Sequence, residues 1–495
     1  MLLLGIDIGT SSIKVSVVDA ATGKSVANAQ YPDIESEILA PQPGWAEQSP
    51  SMWWEHVQLA ILKLHAQLKY NPLDIAAIGI AYQMHGLVMI DKSQKVLRNS
   101  IIWCDSRAVD IGDRAFENIG KEKCLLHLLN SPGNFTASKL AWVKENEPDV
   151  YEKTDKIMWP GDYIAMKLTG EVTTSIASLS EGVFWDFQQN EISKDVMQYF
   201  GFCSSIIPTT KEVFSTHGTL SDSVANELSM KKGIPVTYKA GDQPNNALSL
   251  NVLEPGEVAA TAGTSGVIYG VTDQLTYDNE SRVNSFAHVN YTSARRRLGV
   301  LLCINGTGIM NRWVRDIASC KAGYDELNRL AAGVKPGSEG LMIYPFGNGA
   351  ERIFENKTVG AHIDHIDLNI HTQAHLSRAS QEGIAFAFRY GLDIMRENGM
   401  NPQMIRAGHA NMFQSEVFTR TFADTLNVPL EIYCNDGSMG AALGAGIGAK
   451  IYSGAKDAFQ QLKPQQRIEP SKNKTYSELY ERWLDGLTAH LNGIQ

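Results

Sequence analysis

Several features are scarce in this sequence, and each absence removes a class of function. No apolar run approaches the length of a transmembrane helix. The N-terminal apolar stretch is interrupted by Asp7 and has no basic segment before it, so we expect neither a membrane span nor a signal peptide. Basic residues number 44 against 54 acidic ones, a formal net charge of −10. Nucleic acid and anionic membranes are therefore not expected as partners.

Cysteine is also scarce, and its spacing is not that of a metal or redox site. The six cysteines are Cys104, Cys124, Cys203, Cys303, Cys320 and Cys434. They form no Cys-x-x-Cys pair and no cluster with metal-ligand spacing. Reduced thiols in a cytoplasmic protein are the simplest interpretation.

The composition is that of a soluble globular protein, with 43% hydrophobic and 20% charged residues. A chain of 495 residues exceeds what one hydrophobic core ordinarily supports. We therefore expect two domains of about 200 to 250 residues each.

A short turn sequence occurs twice, separated by about half of the chain. Gly9-Thr10-Ser11-Ser12 and Gly263-Thr264-Ser265 each lie between apolar runs that are typical of strands. Repetition at half-length predicts two related halves. We expect the glycines to adopt backbone angles closed to other residues, which would let neighbouring N–H groups converge. Such donor arrays suit phosphate oxygens, and two of them facing each other would hold a polyphosphate.

Two acidic residues accompany these turns. Asp7 precedes Gly9 by two positions, whereas the equivalent position in the second copy is Thr261. A carboxylate beside phosphates needs a cation between them, so Asp7 predicts a contact to Mg²⁺ or to its bound water. Asp242 lies just upstream of the second copy, where the two halves meet. Its position predicts a catalytic acid or base.

A helix is predicted to begin at Pro50, with Ser49 as its N-cap. Its apolar face is predicted to comprise Trp54, Val57, Ile61, Leu64 and Leu68. This stripe predicts core packing and carries no chemistry of its own.

Polar side chains follow the apolar strand predicted over residues 75–81. Gln83, Met84 and His85 can offer two hydrogen-bonding groups and one apolar contact to a sugar. Further along, the ring of Trp103 could stack on a sugar. Asp105 and Arg107 could bind its hydroxyl groups, or they could form an ion pair that only shapes the loop.

Longer strings carry a resemblance to a known family. They are Pro43–Gln48 with the later Trp53-Trp54 pair, Gln83–Gly86, Trp103–Arg107, Phe135–Pro148 and Asp436–Gly446. Together they resemble the sugar kinases of the FGGY family, within the actin-like superfamily, and the xylulose kinases in particular. The likeness extends over nearly the whole chain.

The resemblance implies an α/β fold of two related actin-like, ribonuclease H-like domains, residues 1–243 and 244–495, with ATP and sugar in the cleft between them. The activity it implies is ATP-dependent phosphorylation of D-xylulose to D-xylulose 5-phosphate. A homodimer is left open as the oligomeric state.

The same resemblance assigns residues to each part of the site. Asp242 is the expected general base, and Asp7 the expected contact to Mg²⁺. The expected sugar-binding residues are Gln83, Met84, His85, Trp103, Asp242 and Gln243. The expected nucleotide-binding residues are Gly9, Thr10, Ser11, Ser12, Gly263, Thr264, Ser265, Gly408 and Asn411. Ala407 stands where the family typically has a first glycine, which leaves the adenosine contacts open.

Two alternatives remain at this point. The first is a kinase of the same family that acts on ribulose, glycerol, gluconate or a deoxy-ketose. The second is a non-catalytic relative, such as a sugar-sensing regulator or an ATPase chaperone. The Gln-Met-His-Gly and Thr-Ala-Ser-Lys segments favour xylulose among the sugars. Asp242 favours an enzyme over a regulator.

Overall fold

The structure is a computed structural model that describes residues 1–318 and 323–493. Cys320 lies outside the described residues, and the other five cysteines are free thiols. Within the described ranges, no helix combines the length and apolar character that a membrane crossing needs.

The first half of the chain alternates strands with helices. Its strands are β1 (Leu2–Ile8), β2 (Ile13–Asp19), β3 (Ser25–Tyr31), β4 (Glu47–Gln48), β5 (Ile75–Tyr82), β6 (Val88–Ile90), β7 (Ser100–Ile101), β8 (Lys156–Met158), β9 (Thr173–Ser175), β10 (Trp185–Asp186), β11 (Glu191–Ile192), β12 (Thr209–Lys211), β13 (Gly218–Thr219) and β14 (Pro235–Gly241). Its helices are α1 (Pro50–His65), α2 (Val109–Ile119), α3 (Lys121–Leu128), α4 (Thr136–Asn146), α5 (Pro148–Lys153), α6 (Pro160–Thr169), α7 (Ile176–Glu181), α8 (Lys194–Phe200), α9 (Asp222–Glu227) and α10 (Asp242–Ser249).

The second half follows the same alternation. Its strands are β15 (Glu257–Ala262), β16 (Gly266–Thr272), β17 (Asn284–Ala287), β18 (Leu298–Ile304), β19 (Met342–Tyr344), β20 (His362–Asp364), β21 (Met404–Gly408), β22 (Leu430–Tyr433) and β23 (Gln466–Ile468). Its helices are α11 (Gly308–Ala318), α12 (Tyr324–Ala332), α13 (Gln373–Glu397), α14 (Glu416–Leu426), α15 (Gly437–Gly448), α16 (Ala455–Ala458) and α17 (Thr475–Asn492).

Each half is built on a mixed sheet, and the two strand orders correspond when one is read in reverse, except that the second sheet has β17 as an additional edge strand. The first sheet runs β13-β14-β5-β1-β2-β3, and the second runs β17-β18-β16-β15-β21-β22-β23. In both, the first strand of the half pairs in parallel with one neighbour and antiparallel with the other. The edge strands β13 and β23 are both antiparallel to their neighbours. This repeated topology confirms the prediction of two related ribonuclease H-like halves.

The two repeated turns join equivalent strands, because residues 9–12 connect β1 to β2 and residues 263–265 connect β15 to β16. The predicted backbone conformation of their glycines is wrong, since neither Gly9 nor Gly263 has a left-handed φ. A Cβ atom at Gly9 would come within 3.0 Å of the Ser12 carbonyl oxygen. Glycine is therefore favoured at position 9 because a side chain there would crowd the Ser12 carbonyl group.

Two helices cross from one half to the other. Helix α10 follows a strand of the first sheet, yet Ala247 and Leu250 pack with Ala259 and Tyr269 of the second sheet. Helix α15 follows a strand of the second sheet, yet its alanines join the core of the first. The exchanged helices also contact each other. Their N-termini thus lie between the two sheets.

Small residues allow α15 to lie directly on the first sheet. A Cβ atom at Gly5 of β1 would overlap the carbonyl oxygen of Ser438, and one at Gly79 of β5 would overlap that of Ala441. The helix at the Asp436–Gly446 string thus packs closely on the sheet through backbone atoms.

Helix α1 begins as predicted, with the Ser49 hydroxyl accepting a hydrogen bond from the N–H of Met52. Three positions of its predicted apolar face are buried: Val57, Ile61 and Leu64. Trp54 is partly buried and packs against the same core, next to the fully buried Trp53. Only Leu68 is wrong, because it is 87% exposed. The helix ends at His65, so its periodicity no longer applies at Leu68.

Candidate active site

The first turn presents unpaired backbone donors. The Gly9 N–H closes the turn on the Ser12 carbonyl at 3.1 Å. In the described part of the chain, the N–H groups of Thr10, Ser11 and Ser12 donate to no protein acceptor. Such a set of adjacent free amides can bind phosphate oxygens without a fixed positive charge.

The second turn is supported by the start of α11. The N–H of Gly308 donates to the Gly263 carbonyl at 2.9 Å, and that of Ile309 donates to the Thr264 carbonyl at 3.1 Å. The N-terminus of α11 therefore lies against the turn, where its partial positive charge favours an anionic ligand.

Asp242 is the first residue of α10 and directly follows β14. Burial and, to a smaller extent, the nearby Asp7 carboxylate raise the pKa of Asp242 to about 7, against the opposing effect of the Gln243 N–H. A carboxylate with a pKa near neutrality can accept a proton from a hydroxyl group and release it afterwards. Asp242 therefore has the position and basicity of a general base.

Asp7 lies near the end of β1, next to the start of α15. A Cβ atom at Gly437 would overlap the Asp7 carboxylate, so only glycine lets the helix begin there. Burial raises the pKa of Asp7 to about 6; Lys14 lowers it, and Asp436 raises it again. A carboxylate that is destabilised by burial and by a neighbouring acid would be stabilised by a cation.

Among the described residues, no group of three or more His, Cys, Asp or Glu side chains is arranged to hold a metal ion. Mg²⁺ in phosphoryl-transfer sites is commonly bound through one or two carboxylates together with substrate phosphates and water. Asp7, with Asp242 as its neighbouring acid, fits that kind of binding. A metal site made by the protein alone is not indicated.

His85 follows β5 in a left-handed conformation, with φ of 61°. Its Nδ1 lies 3.0 Å from the Glu181 carbonyl, and its own carbonyl accepts a hydrogen bond of 2.9 Å from Lys139 Nζ. Its ring contacts those of Phe135 and Phe286, with centroids 4.8 and 5.4 Å away. Burial lowers the pKa of His85 to about 3, and Lys139 adds to the effect. The imidazole is therefore neutral.

The predicted sugar-binding residues around His85 are also linked to the first turn. The Thr10 hydroxyl donates to Gln83 Oε1 at 3.1 Å, and Trp103 Nε1 donates to the same hydroxyl at 2.9 Å. Gln83 Nε2 donates to Gln48 Oε1 at 2.9 Å, so both ends of this buried amide are engaged within the protein. Trp103 keeps about half of its surface exposed. These bonds couple the turn to the Gln83 segment.

The remaining predicted positions at this end lie beside Asp242. Met84 is buried against Gly241, where a Cβ atom would approach Met84 Cγ to 2.6 Å. Gln243 is half-buried and donates its N–H to Asp242. The structure thus brings Met84, His85 and Gln243 close to the candidate base.

Of the two roles left open for Asp105 and Arg107, the structure favours loop shaping. Both side chains are buried, and their ion pair measures 2.7 Å. Asp105 also accepts the N–H of Ala46, and the Arg107 guanidinium lies 3.8 Å from the centroid of the Trp45 ring. This arrangement joins two loops and leaves neither charge for a ligand.

A cavity of about 440 Å³ opens beside the second turn. Three of the predicted nucleotide residues line it: Gly263, Thr264 and Asn411. Ser265 and Gly408 are not among its lining residues; Ser265 ends the turn, and Gly408 ends β21. The cavity is also lined by Gly308, at the start of α11, and by residues that the sequence did not predict, among them Asn311, Arg312, Tyr324, Asn328 and Ser415.

A signal for these missed residues was present. Gly308, Asn311 and Arg312 are spaced i, i+3 and i+4 and so share one face of α11. Tyr324 and Asn328 are spaced i, i+4 on α12. Polar residues or glycines at helical spacing indicate a ligand-binding surface only when the position of their helix in the fold is known.

Comparison with known proteins assigns both halves of the chain to one family. A family model described as the N-terminal domain of the FGGY family of carbohydrate kinases matches residues 2–249, and one described as the C-terminal domain matches residues 258–449. This chain belongs to the FGGY family of carbohydrate kinases. Like other FGGY kinases, it is a sugar kinase, an enzyme that transfers a phosphoryl group to an alcohol group.

Individual FGGY kinases resemble it over their full length. A xylulose kinase of Haemophilus influenzae is 28% identical, with 98% of this chain and 99% of the relative covered. The crystal structure of a xylulose kinase from Rhodospirillum rubrum has a TM-score of 0.88 at 25% identity and covers 100% of this chain and 99% of that one. A gluconate kinase from Lactobacillus acidophilus has the same TM-score at 20% identity, covering 99% and 98%, which shows the shared fold alone.

Proposed function

We propose that this FGGY kinase phosphorylates D-xylulose with ATP, giving D-xylulose 5-phosphate, and that Asp242 is its general base. The observation that carries the proposal is the position of Asp242 at the start of α10, between the two sheets and beside Asp7, with burial raising its pKa to about 7. The choice of xylulose is supported by the similarity to the xylulose kinase of Haemophilus influenzae over nearly the whole chain.

In this proposal Asp242 takes the proton of the terminal hydroxyl of the sugar. The hydroxyl oxygen forms the new bond to the γ-phosphorus, and the bond from that phosphorus to the bridging oxygen breaks, so that ADP leaves. Phosphoryl transfer depends mainly on positioning and charge stabilisation. The helix N-termini and free turn amides beside Asp242 fit that requirement.

The substrates occupy opposite ends of the cleft. In this proposal the sugar is bound by Met84, His85, Trp103 and Gln243. Gln83 accepts the hydrogen bond of the Thr10 hydroxyl and so orients it. Residues 9–12 and 263–265 hold the phosphates, and Gly408 and Asn411 face the adenosine. Asp7 would hold Mg²⁺, which when bound neutralises charge on the transferring phosphates. Residues 1–243 and 244–495 are the two domains of this proposal, in a cytoplasmic enzyme. A homodimer would show twice the monomer mass in sedimentation velocity.

A coupled assay of ADP release tests the choice of sugar. D-xylulose, D-ribulose, glycerol and D-gluconate are compared at equal enzyme and MgATP concentrations. We expect the highest kcat/KM with D-xylulose. A higher kcat/KM with another acceptor would identify that acceptor as the substrate, and the assignment to the FGGY family would stand. If no acceptor increases ADP release, the proposed reaction is wrong.

A further inference from the structure

Glu181 is a buried acid that the proposed reaction does not use. It ends α7 and is only 2% exposed. In the described part of the chain, no Lys, Arg or His nitrogen lies within ion-pair distance of its carboxyl group. The carboxyl lies against Gly241, where a Cβ atom would come within 2.9 Å of Glu181 Oε2. It therefore touches the residue that precedes Asp242.

Glu181 holds His85 through two separate bonds. Its Oε1 accepts the backbone N–H of His85 at 3.4 Å, and its carbonyl oxygen lies 3.0 Å from His85 Nδ1. Because a carbonyl oxygen can only accept, Nδ1 carries the hydrogen. In the neutral imidazole, Nε2 is then an acceptor.

The left-handed backbone of His85 makes this support necessary. A non-glycine residue with positive φ persists only where its surroundings fix it. At His85 the surroundings are the two Glu181 bonds, the Lys139 bond to the His85 carbonyl, and the rings of Phe135 and Phe286. Loss of the Glu181 bond would free the segment that carries the imidazole.

We propose that Glu181 is a positioning residue for the sugar: its carboxyl oxygen holds the backbone of His85 so that Nε2 accepts a hydrogen bond from a sugar hydroxyl. This inference rests on the proposed function, because it takes His85 to face the acceptor. It adds one requirement to that function: a hydroxyl group of the sugar must donate a hydrogen bond to His85 Nε2.

The surroundings of Glu181 favour the uncharged form. Burial raises the pKa of Glu181 well above its usual value, and the acids Asp242 and Asp162 raise it further. The His85 N–H and the Lys139 ammonium oppose that shift. The titratable groups that face the carboxyl from neighbouring elements are His85, Asp242, Asp162, Lys139, Tyr82 and Tyr269.

Two substitutions of similar length separate the roles of the carboxyl group. Glu181→Gln keeps an acceptor for the His85 N–H and is neutral, so we expect the KM for the sugar to stay within about threefold of wild type. Glu181→Met fills the same space without that acceptor. We expect it to raise the KM for the sugar by about tenfold or more while the KM for ATP stays unchanged.

Three outcomes would overturn the inference. If Glu181→Gln is as impaired as Glu181→Met, an acceptor at this position is not enough to hold His85. If Glu181→Met leaves the KM for the sugar unchanged, the bond does not position His85. If both substrates are affected equally, the role is structural. Glu171→Gln, which alters an exposed acid of the same half, is the control and should resemble wild type.

A readout independent of turnover covers the case of a poorly folded variant. In ¹⁵N-histidine spectra of the full-length enzyme, His85→Ala identifies the His85 signals. We expect wild type and Glu181→Gln to show the tautomer with hydrogen on Nδ1. Hydrogen on Nε2 in wild type would overturn the inference. All kinetic comparisons use the best acceptor of the wild type, so failure of xylulose as substrate is distinguishable from failure of the Glu181 assignment.

Discussion

The two halves share a sheet topology and a turn, yet they differ in charge around that turn. The first turn lies near acids that are at least half-buried, the half-buried Asp7 and Asp242 and the fully buried Glu181. The second has Thr261 where the first has Asp7, and it opens into a cavity of about 440 Å³. The surroundings of the first turn are thus acidic, whereas those of the second turn are more neutral and more open.

The difference shows that the same fold can surround two equivalent turns with different side chains. In both halves the turn amides supply donors that need no side chain, so the backbone can be repeated while the neighbouring side chains diverge. Buried acids raise each other's pKa, and they are concentrated where the exchanged helices begin. The comparison can be tested by removing the acids from the first half one at a time.

The largest effect is expected from Asp242→Asn, which keeps size and hydrogen bonding but removes basicity. We expect kcat to fall by about 10² to 10⁴, because a positioned general base contributes a rate factor of that order. Sugar and nucleotide binding, measured by calorimetry, should stay within a few-fold of wild type. A variant that retains about a tenth of the normal rate or more would exclude Asp242 as the base.

A smaller loss is expected from Asp7→Asn. If Asp7 holds Mg²⁺, activity should fall by about 10- to 100-fold and recover partly as the Mg²⁺ concentration rises. Thr261→Asn at the equivalent position of the second half is the matched control and should show no such recovery. A loss in Asp7→Asn that is independent of Mg²⁺ would argue against the metal assignment.

His85→Ala separates the sugar end from the phosphate end. We expect the KM for the sugar to rise by about tenfold, because one buried hydrogen-bond partner is removed. The KM for ATP should not change, since the phosphate turns keep their amides. Equal increases in both constants would make His85 a structural residue of the interface between the halves.

The smallest effect concerns pH. Asp242 acts as a base only when ionised, and its raised pKa of about 7 means that the active form is lost as pH falls through that value. We expect kcat/KM, at saturating MgATP, to be half-maximal at about pH 7 and to level off above it. A profile that stays flat down to pH 5 would show that the base has an ordinary carboxylate pKa.

Much of the fold was readable from local patterns. Apolar runs on both sides of Gly9 and Gly263 predicted the paired hairpins, and Ser49 with Pro50 predicted the start of α1. These features depend on a few neighbouring residues, and the hydrophobic period or the cap is visible in the sequence itself. The deeper burial of Trp53 than of Trp54 was not predictable from the sequence, because either of two adjacent tryptophans can face the core until the helix is packed.

By itself, the sequence determined the duplication, the strands around each turn and the acids that stand beside them, since these follow from spacing and residue type. Only the tertiary structure decided that α10 and α15 exchange between the halves and bring their N-termini to Asp7 and Asp242. It also decided the partners of Gln83, the second-half residues that line the cavity, and the contact of Glu181 with His85. The physical reason is that these contacts join residues far apart in the chain, and their burial and pKa shifts exist only once the halves are packed together.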